Sequence, residues 1–298
     1  LLGLGCLQSA RAQTLELSGS YPFSIQAAMY GISLSDAISL DLAASTDRLK
    51  LEAAAILDLA PVGNINASAS LEFAYVGRLR ARIATQATLG SATVGLGAWL
   101  WSAAPANFDQ FEVYGADPLP NSASGSRVDL NMGLRISRPL SLLAAFRFGS
   151  DISSVRLGLR LRQSDLEWYT GIYSVAQVGG SVYLLQTSLG LPLFETMQLS
   201  LTGGVGFFDA NFAFEAGGQL AWSVFENLQF NLAVAYQPWR FDVLPLRSSV
   251  GLEFAPGFGV LYLNGFAGRT QNGIIGWGLR LTYRVTLEEL FPSQEARK

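Results

Sequence analysis

Arginine recurs at every second position in several short segments of this chain. In the segment 78–83 three arginines alternate with three apolar residues, and in the segments 156–162 and 280–284 the arginines stand two or four residues apart. In an extended strand every second side chain points to the same face. The guanidinium groups would therefore form rows that attract anions or pair with carboxylates. The arginines that fit the rule are Arg78, Arg80, Arg82, Arg135, Arg147, Arg156, Arg160, Arg162, Arg247, Arg280 and Arg284.

Histidine is absent from the sequence, and Cys6 is the only cysteine. Zinc sites need several thiolate or imidazole ligands, and a Ser–His or Cys–His nucleophile needs histidine. We therefore predict no catalytic residue, no metal site and no cofactor, and we expect that the chain is not an enzyme. The alternative left open is a paired-carboxylate mechanism, for which Asp109 and Glu112 are the one close acidic pair near a loop.

The composition indicates that much of the exterior does not face water. Half of the residues are apolar and only 14 % are charged, whereas soluble domains carry about 25 % charged residues. The net charge is −3 and there is no basic segment with interleaved aromatic residues. Nucleic acid is therefore not expected as a partner. No apolar stretch is long enough for a transmembrane helix.

The pattern of the remaining sequence predicts short strands with one apolar and one polar face. The segments 65–75, 212–224, 228–236 and 275–285 alternate in this way, and turn residues separate the segments. Eighteen strands are predicted, with sixteen as the alternative, because residues 15–29 keep one phase through Pro22. The predicted strands begin near residues 14, 24, 37, 48, 65, 78, 92, 127, 140, 153, 166, 181, 196, 212, 228, 246, 259 and 274.

Such strands build either a soluble sandwich or a membrane barrel. The polar faces are rich in Gly, Ser, Thr, Asn, Gln and Arg, and the only lysines are Lys50 and Lys298, which favours the barrel. An open sheet edge cannot persist in lipid, so the sheet must close. We predict an all-β, antiparallel, up-and-down transmembrane barrel with short turns and no plug domain. A charge on its lipid side costs roughly 2–4 kcal/mol at mid-bilayer, so the arginine rows must face the lumen.

Aromatic residues gather near the predicted strand ends, which is typical of the girdles at membrane interfaces. The residues concerned are Tyr75, Trp99, Trp101, Trp168, Tyr236, Trp239 and Tyr283. Residues 1–12 resemble the remnant of a secretory signal peptide, with Ala10-Arg11-Ala12 as the cleavage site. The expected organisation is this remnant, a barrel over residues 13–287 and a C-terminal tail over residues 288–298.

The chain resembles the porin-like outer-membrane barrels of diderm bacteria. The last strand carries the resemblance, because its alternating residues Gly276, Trp277, Gly278, Leu279, Leu281, Tyr283 and Val285 are similar to the C-terminal signal that such proteins present to the barrel-assembly machinery. One departure is the tail from Leu287 to Lys298, although Phe291 is in phase and could serve as the usual terminal aromatic. The resemblance implies the bacterial outer membrane as location, and lipid and the assembly machinery as partners. A homo-oligomer is left open.

The pattern and the resemblance together predict a pore for passive diffusion of small polar solutes or ions. Its arginine-lined lumen should mildly favour anions.

The longest connection, 102–126, contains Asp109, Glu112 and Asp117. If it folds inward it narrows the channel, and otherwise it is an exposed loop. Both termini and the turns near Pro61, Arg138, Pro192, Glu226 and Pro256 are expected in the periplasm. The alternative function is a structural or adhesive barrel without an open channel.

Overall fold

The computed structural model describes residues 13–21, 23–103, 124–150, 152–177, 180–239, 245–269 and 275–290. Eighteen β-strands and one short helix, α1 (Leu287–Leu290), make up this part of the chain. The strands are β1 (Thr14–Tyr21), β2 (Ser24–Ser35), β3 (Ile38–Ser45), β4 (Arg48–Leu59), β5 (Gly63–Ala74), β6 (Arg78–Leu89), β7 (Ala92–Trp101), β8 (Gly125–Arg135), β9 (Leu140–Gly149), β10 (Ile152–Gln163), β11 (Leu166–Gln177), β12 (Gly180–Phe194), β13 (Met197–Phe208), β14 (Asn211–Phe225), β15 (Leu228–Tyr236), β16 (Leu246–Phe254), β17 (Val260–Arg269) and β18 (Ile275–Thr286).

The sheet closes on itself. Each strand pairs antiparallel with its neighbours in the chain, and β1 pairs with β18 from Thr14 opposite Thr286 to Tyr21 opposite Leu279. Closure leaves no strand with an unpaired backbone edge, which is the condition for a sheet in lipid. The predicted up-and-down barrel of eighteen strands is confirmed, and every predicted strand start lies within two residues of the observed one. The sixteen-strand alternative is wrong, because β1 and β2 form a hairpin.

Apolar and polar side chains separate across the sheet as the alternation predicts. In β5, Leu71 and Phe73 are 46 % and 43 % exposed on the outside, whereas Glu72 between them is only 4 % exposed. The same outward row of exposed apolar residues continues around the barrel, for example at Ile83 and Ile172. An apolar exterior of this kind is matched to lipid rather than to water. The described residues are therefore a membrane-embedded barrel without a plug domain.

The turn predicted at Pro192 lies three residues further along the chain. Strand β12 runs through Pro192 to Phe194, and its register with β13 shifts between these two residues. Proline cannot donate a hydrogen bond to the ladder, so within sheets it is found at edges or at bulges. The irregularity lets the strand accept Pro192, and the chain then reverses at residues 195–196.

The barrel has two distinct ends. The terminal end carries the start of β1, the end of β18 and the connections 36–37, 60–62, 90–91, 136–139, 164–165, 195–196, 226–227 and 255–259. The loop end carries the other connections, including the longest, 102–124. The turns predicted to share one side with the termini all lie at the terminal end. Within the described ranges, no helix is long and apolar enough to cross a membrane.

Candidate functional site

All eleven arginines predicted to form rows lie on the inner face of the barrel strands. Arg160 follows Leu159, which is 43 % exposed on the outside, and Arg280 lies between Leu279 and Leu281, which are also exposed outward. Because successive side chains point to opposite faces, each arginine next to an outward apolar residue points inward. The same argument applies to Arg78, Arg80, Arg82, Arg135, Arg147, Arg156, Arg162, Arg247 and Arg284.

Glu72 is the centre of one ion-pair cluster on this inner face. Its carboxylate lies 2.5 Å from the Arg80 guanidinium and 3.2 Å from that of Arg48. Glu72 and Arg80 are opposite each other in the register of β5 and β6. Arg48 was not among the predicted arginines, because it stands alone at the start of β4. The signal in the sequence is that Arg48 and Lys50 are two residues apart and therefore share one face of the strand.

Asp129 is the centre of a second cluster. It accepts ion pairs from Arg127 at 3.0 Å and from Arg147 at 3.2 Å. Arg147 faces Asp129 directly across β8 and β9, while Arg127 lies two residues earlier on the same strand. Arg127 is a second site residue that the sequence analysis missed, although it shares the phase of Asp129 and Arg135 on β8.

A third pair joins the first and last strands. The Arg284 guanidinium lies 2.6 Å from the Glu16 carboxylate, and the two residues are register partners in β18 and β1. The Tyr30 hydroxyl also donates a hydrogen bond to Glu16, at 3.3 Å. The barrel closure is therefore supported on its inner side by a charged hydrogen-bonded pair as well as by the backbone ladder.

Positive charge dominates the inner face of β4–β10 in the half nearest the loop end. We call these residues the positive wall. Eight cationic side chains stand there against three carboxylates, an excess of five positive charges on the described strands. The cations are Arg48, Lys50, Arg78, Arg80, Arg82, Arg127, Arg147 and Arg156, and the carboxylates are Glu52, Glu72 and Asp129. Because the two clusters involve carboxylates shared between arginines, the ion pairs do not cancel the field of this wall.

The half of the lumen nearest the terminal end is polar along the strands β10–β17. A cavity of about 560 Å³ opens there. Asn231, Asn264, Gln219 and Ser249 line it, together with the Arg162 and Glu167 side chains. This lining agrees with the predicted polar lumen and would be wetted readily.

The loop end of β10–β14 departs from that prediction, because apolar side chains point inward there. Val175 is fully buried, and Leu184 and Val182 are almost fully buried. These residues form the apolar cluster, with Ile152, Tyr173, Ala213 and Trp239 as its other buried members. The expectation of a lumen lined only by small polar residues and arginine is wrong in this region. Strands β11 and β12 carry apolar residues on both faces, so their alternation could not reveal which face was inward.

A buried carboxylate, Glu215, holds residues 237–239, which follow β15, against the apolar cluster. It accepts hydrogen bonds from Gln186 Nε2 at 2.5 Å, from Gln237 Nε2 at 3.0 Å and from Trp239 Nε1 at 3.2 Å. Arg247 in turn donates a hydrogen bond to Gln237 Oε1 at 2.5 Å. We call this network the Glu215 latch. Glu215 thus has two amide donors and one indole donor in the described structure.

No protein family model matches the chain, and no curated protein is significantly similar to it in sequence. Solved structures do match. A triple mutant of the Rh. blastica porin has a TM-score of 0.53 at 8 % identity and covers 92 % of this chain and 98 % of the porin chain. A second triple mutant, of the Rhodopseudomonas blastica porin, has a TM-score of 0.51 at 9 % identity, covering 92 % and 97 %. The chain is a porin-like β-barrel. Both similar structures are porins, and at 8–9 % identity the likeness is one of fold.

Three tryptophans that were predicted to lie in interfacial girdles lie inside the porin-like barrel. Trp99 and Trp101 share the inward phase of β7, since Leu96 and Leu100 are exposed outward. Trp239 is buried in the apolar cluster. The alternation of β7 indicates the inward face for both tryptophans, whereas proximity to a strand end does not specify a face. The other four aromatic residues of the set, Tyr75, Trp168, Tyr236 and Tyr283, have the outward phase of their segments.

Asp109, Glu112 and Asp117, the predicted constriction residues of the porin-like barrel, lie outside the described residues, as do the signal-peptide remnant and Phe291. Among the residues that are described, no group of three or more Cys, Asp and Glu side chains could hold a metal ion.

Proposed function

We propose that the chain is a passive pore of the bacterial outer membrane that conducts small polar solutes and ions and favours anions. The observation that carries this proposal is the positive wall, with its excess of five charges on the inner face. Barrels of 16–18 strands are wide enough for an aqueous channel, and charged rings in a pore select by sign. The terminal end faces the periplasm in this proposal, as in barrels with an even strand count and short periplasmic turns.

The remaining expectations belong to the same proposal. Residues 1–12 would direct export, and β18 would present the assembly signal to the barrel-assembly machinery. The residues 109–117 would narrow the channel if they fold inward. Small polar solutes are the substrates, and the arginines on the inner face line their path.

The test is a planar-bilayer recording of the purified, folded protein in a salt gradient. Replacing Arg78, Arg80 and Arg82 together by alanine removes three charges from the positive wall, so the reversal potential should move toward the value for cations. The matched control replaces Arg135, Arg160 and Arg162, which also face inward but lie nearer the terminal end. It should move the reversal potential less. An unchanged potential in the first variant would contradict the anion preference, and a folded barrel without conductance would contradict the pore.

A structural barrel without an open channel is the second candidate function. The apolar cluster and the Glu215 latch favour it, since they fill part of the lumen near the loop end. The same recording separates the two candidates, because a structural barrel gives no single-channel steps in any salt.

A further inference from the structure

Two arginines on neighbouring strands share one tryptophan ring on the inner face of the barrel. Arg82 of β6, Trp99 of β7 and Arg127 of β8 are consecutive register partners. The guanidinium carbons of Arg82 and Arg127 each lie 4.5 Å from the centroid of the Trp99 ring. The two cations are therefore at most twice that distance apart.

Stacking on Trp99 restrains two side chains that would otherwise be flexible. A guanidinium over an indole ring gains a favourable cation–π interaction. The stacking fixes the orientation of the planar guanidinium group, so less side-chain entropy is lost when a ligand binds. Two like charges so close together repel each other. An anion that contacts both guanidinium groups beside the ring offsets that repulsion, so the arrangement favours a negative ligand.

The two positive charges of this trio outnumber the carboxylates on the described strands that pair with them. Arg127 shares the single carboxylate of Asp129 with Arg147. Arg82 is exposed, and within the part of the chain that the structure describes it forms no ion pair with a carboxylate. Arg82 thus presents a cation to the lumen that Trp99 orients and that no described acid neutralises.

Gly97 leaves the inner face of β7 without a side chain beside Trp99. A Cβ atom on Gly97, two residues earlier and on the same face of β7, would make ordinary van der Waals contacts at 3.8 Å with Trp99 Nε1, the Asp129 Cβ and the Ile83 carbonyl oxygen. Asp129, whose carboxylate pairs with Arg127 and Arg147, borders the same space. Because glycine carries no side chain, that space stays clear next to an indole N–H group, which is a hydrogen-bond donor. Guanidinium forks and N–H donors are the groups that recognise carboxylates and phosphates.

We propose that Arg82, Trp99 and Arg127 form a binding station for oxyanions, either carboxylate or phosphate, on the inner wall of the barrel. This inference rests on the proposed pore function, because it names the class of solute that the positive wall delivers and retains. A bound solute would meet the station in the half of the lumen nearest the loop end, where the wall concentrates anions.

Intrinsic tryptophan fluorescence of the detergent-purified barrel, titrated with inorganic phosphate, tests the station. The wild-type signal should change saturably, and Trp99→Phe should lose that change. Arg82→Gln should weaken the apparent affinity about tenfold, the usual effect of losing one charge-assisted hydrogen bond. Arg82→Lys keeps the charge without the planar fork and should fall between. A titration with succinate determines whether carboxylates share the site.

Arg162→Gln is the matched control, because Arg162 also faces inward but lies near the terminal end. It should change the apparent affinity less than twofold, an effect expected of a distant charge. Equal weakening by Arg82→Gln and Arg162→Gln would overturn the station in favour of a diffuse field, and so would the absence of any saturable change. Altered gel migration on heating verifies that each variant is folded. The fluorescence readout needs no open channel, so a barrel that binds phosphate without conducting would contradict the pore alone.

Discussion

At the scale of single residues, Thr286 and Glu289 join the last strand to α1 through a capping box. Thr286 Oγ1 accepts a hydrogen bond from the Glu289 N–H at 3.2 Å, and the Glu289 carboxylate accepts one from the Thr286 N–H at 2.8 Å. The other carboxylate oxygen accepts a hydrogen bond from the Gly259 N–H at 3.2 Å. One side chain outside the membrane-spanning strands thus ties α1 to β18 and to the connection between β16 and β17.

The capping box predicts a pH effect. Hydrogen bonds from the Thr286 N–H, the Thr286 hydroxyl and the Gly259 N–H, in that order, hold the pKa of Glu289 below its ordinary value of 4.5. A lowered pKa in the folded state stabilises the fold above the unfolded-state pKa, and the stabilisation is lost as the pH falls through the folded-state pKa. The resistance of the folded barrel to unfolding by heat, measured by gel migration, should therefore decline as the pH falls below about 4.5. The decline should be larger in the wild type than in Glu289→Gln.

Glu288→Gln is the control for this prediction, since Glu288 is the neighbouring acid on α1. It should keep the wild-type pH dependence. If Glu289→Gln and the wild type lose heat resistance in parallel between pH 5 and pH 3, the capping box does not contribute measurably.

At the scale of elements, the Glu215 latch makes residues 237–239 part of the barrel interior. Among them, Trp239 donates a hydrogen bond to Glu215 and packs in the apolar cluster. A buried carboxylate is costly unless its oxygens are hydrogen-bonded, and here three donors satisfy it. Residues 237–239 are therefore held on the inner wall, where they occupy part of the lumen.

Trp239→Ala should release residues 237–239 from the inner wall and raise the single-channel conductance. Truncating a buried tryptophan costs about 3–5 kcal/mol and leaves the side-chain hydrogen bonds of Gln237, with Glu215 and Arg247, to hold these residues. The matched control is Trp222→Ala on β14, because Trp222 is exposed on the lipid side. It should leave the conductance unchanged. Equal conductance in the wild type and Trp239→Ala would show that residues 237–239 do not narrow the pore.

At the scale of the whole molecule, the barrel is defined by which face meets lipid. Leu232, at the middle of β15, points outward, while Asn231 lines the polar cavity. An arginine on the lipid side at mid-bilayer costs roughly 2–4 kcal/mol, whereas a polar lumen accepts it. Sidedness of this kind is a property of the closed sheet and not of any single strand.

Leu232→Arg should therefore reduce the yield of folded, heat-modifiable barrel, and Asn231→Arg should leave it near the wild-type level. The two positions are adjacent on one strand, so local backbone effects are matched. Equal damage from both substitutions would contradict a barrel with one lipid face and one aqueous face, and would instead indicate a sheet buried on both sides.

The strand count, the strand positions and the inward direction of the arginines could be predicted from the sequence, because period-two alternation and turn residues are local signals. Only the tertiary structure decided which groups meet, because register and closure set the partners. Glu72 binds Arg80 on one neighbouring strand and Arg48 on the other, and Trp99 lies between Arg82 and Arg127. The apolar cluster and the Glu215 latch escaped prediction for the same reason. Strands with two apolar faces do not reveal which face is inward until closure of the barrel assigns it.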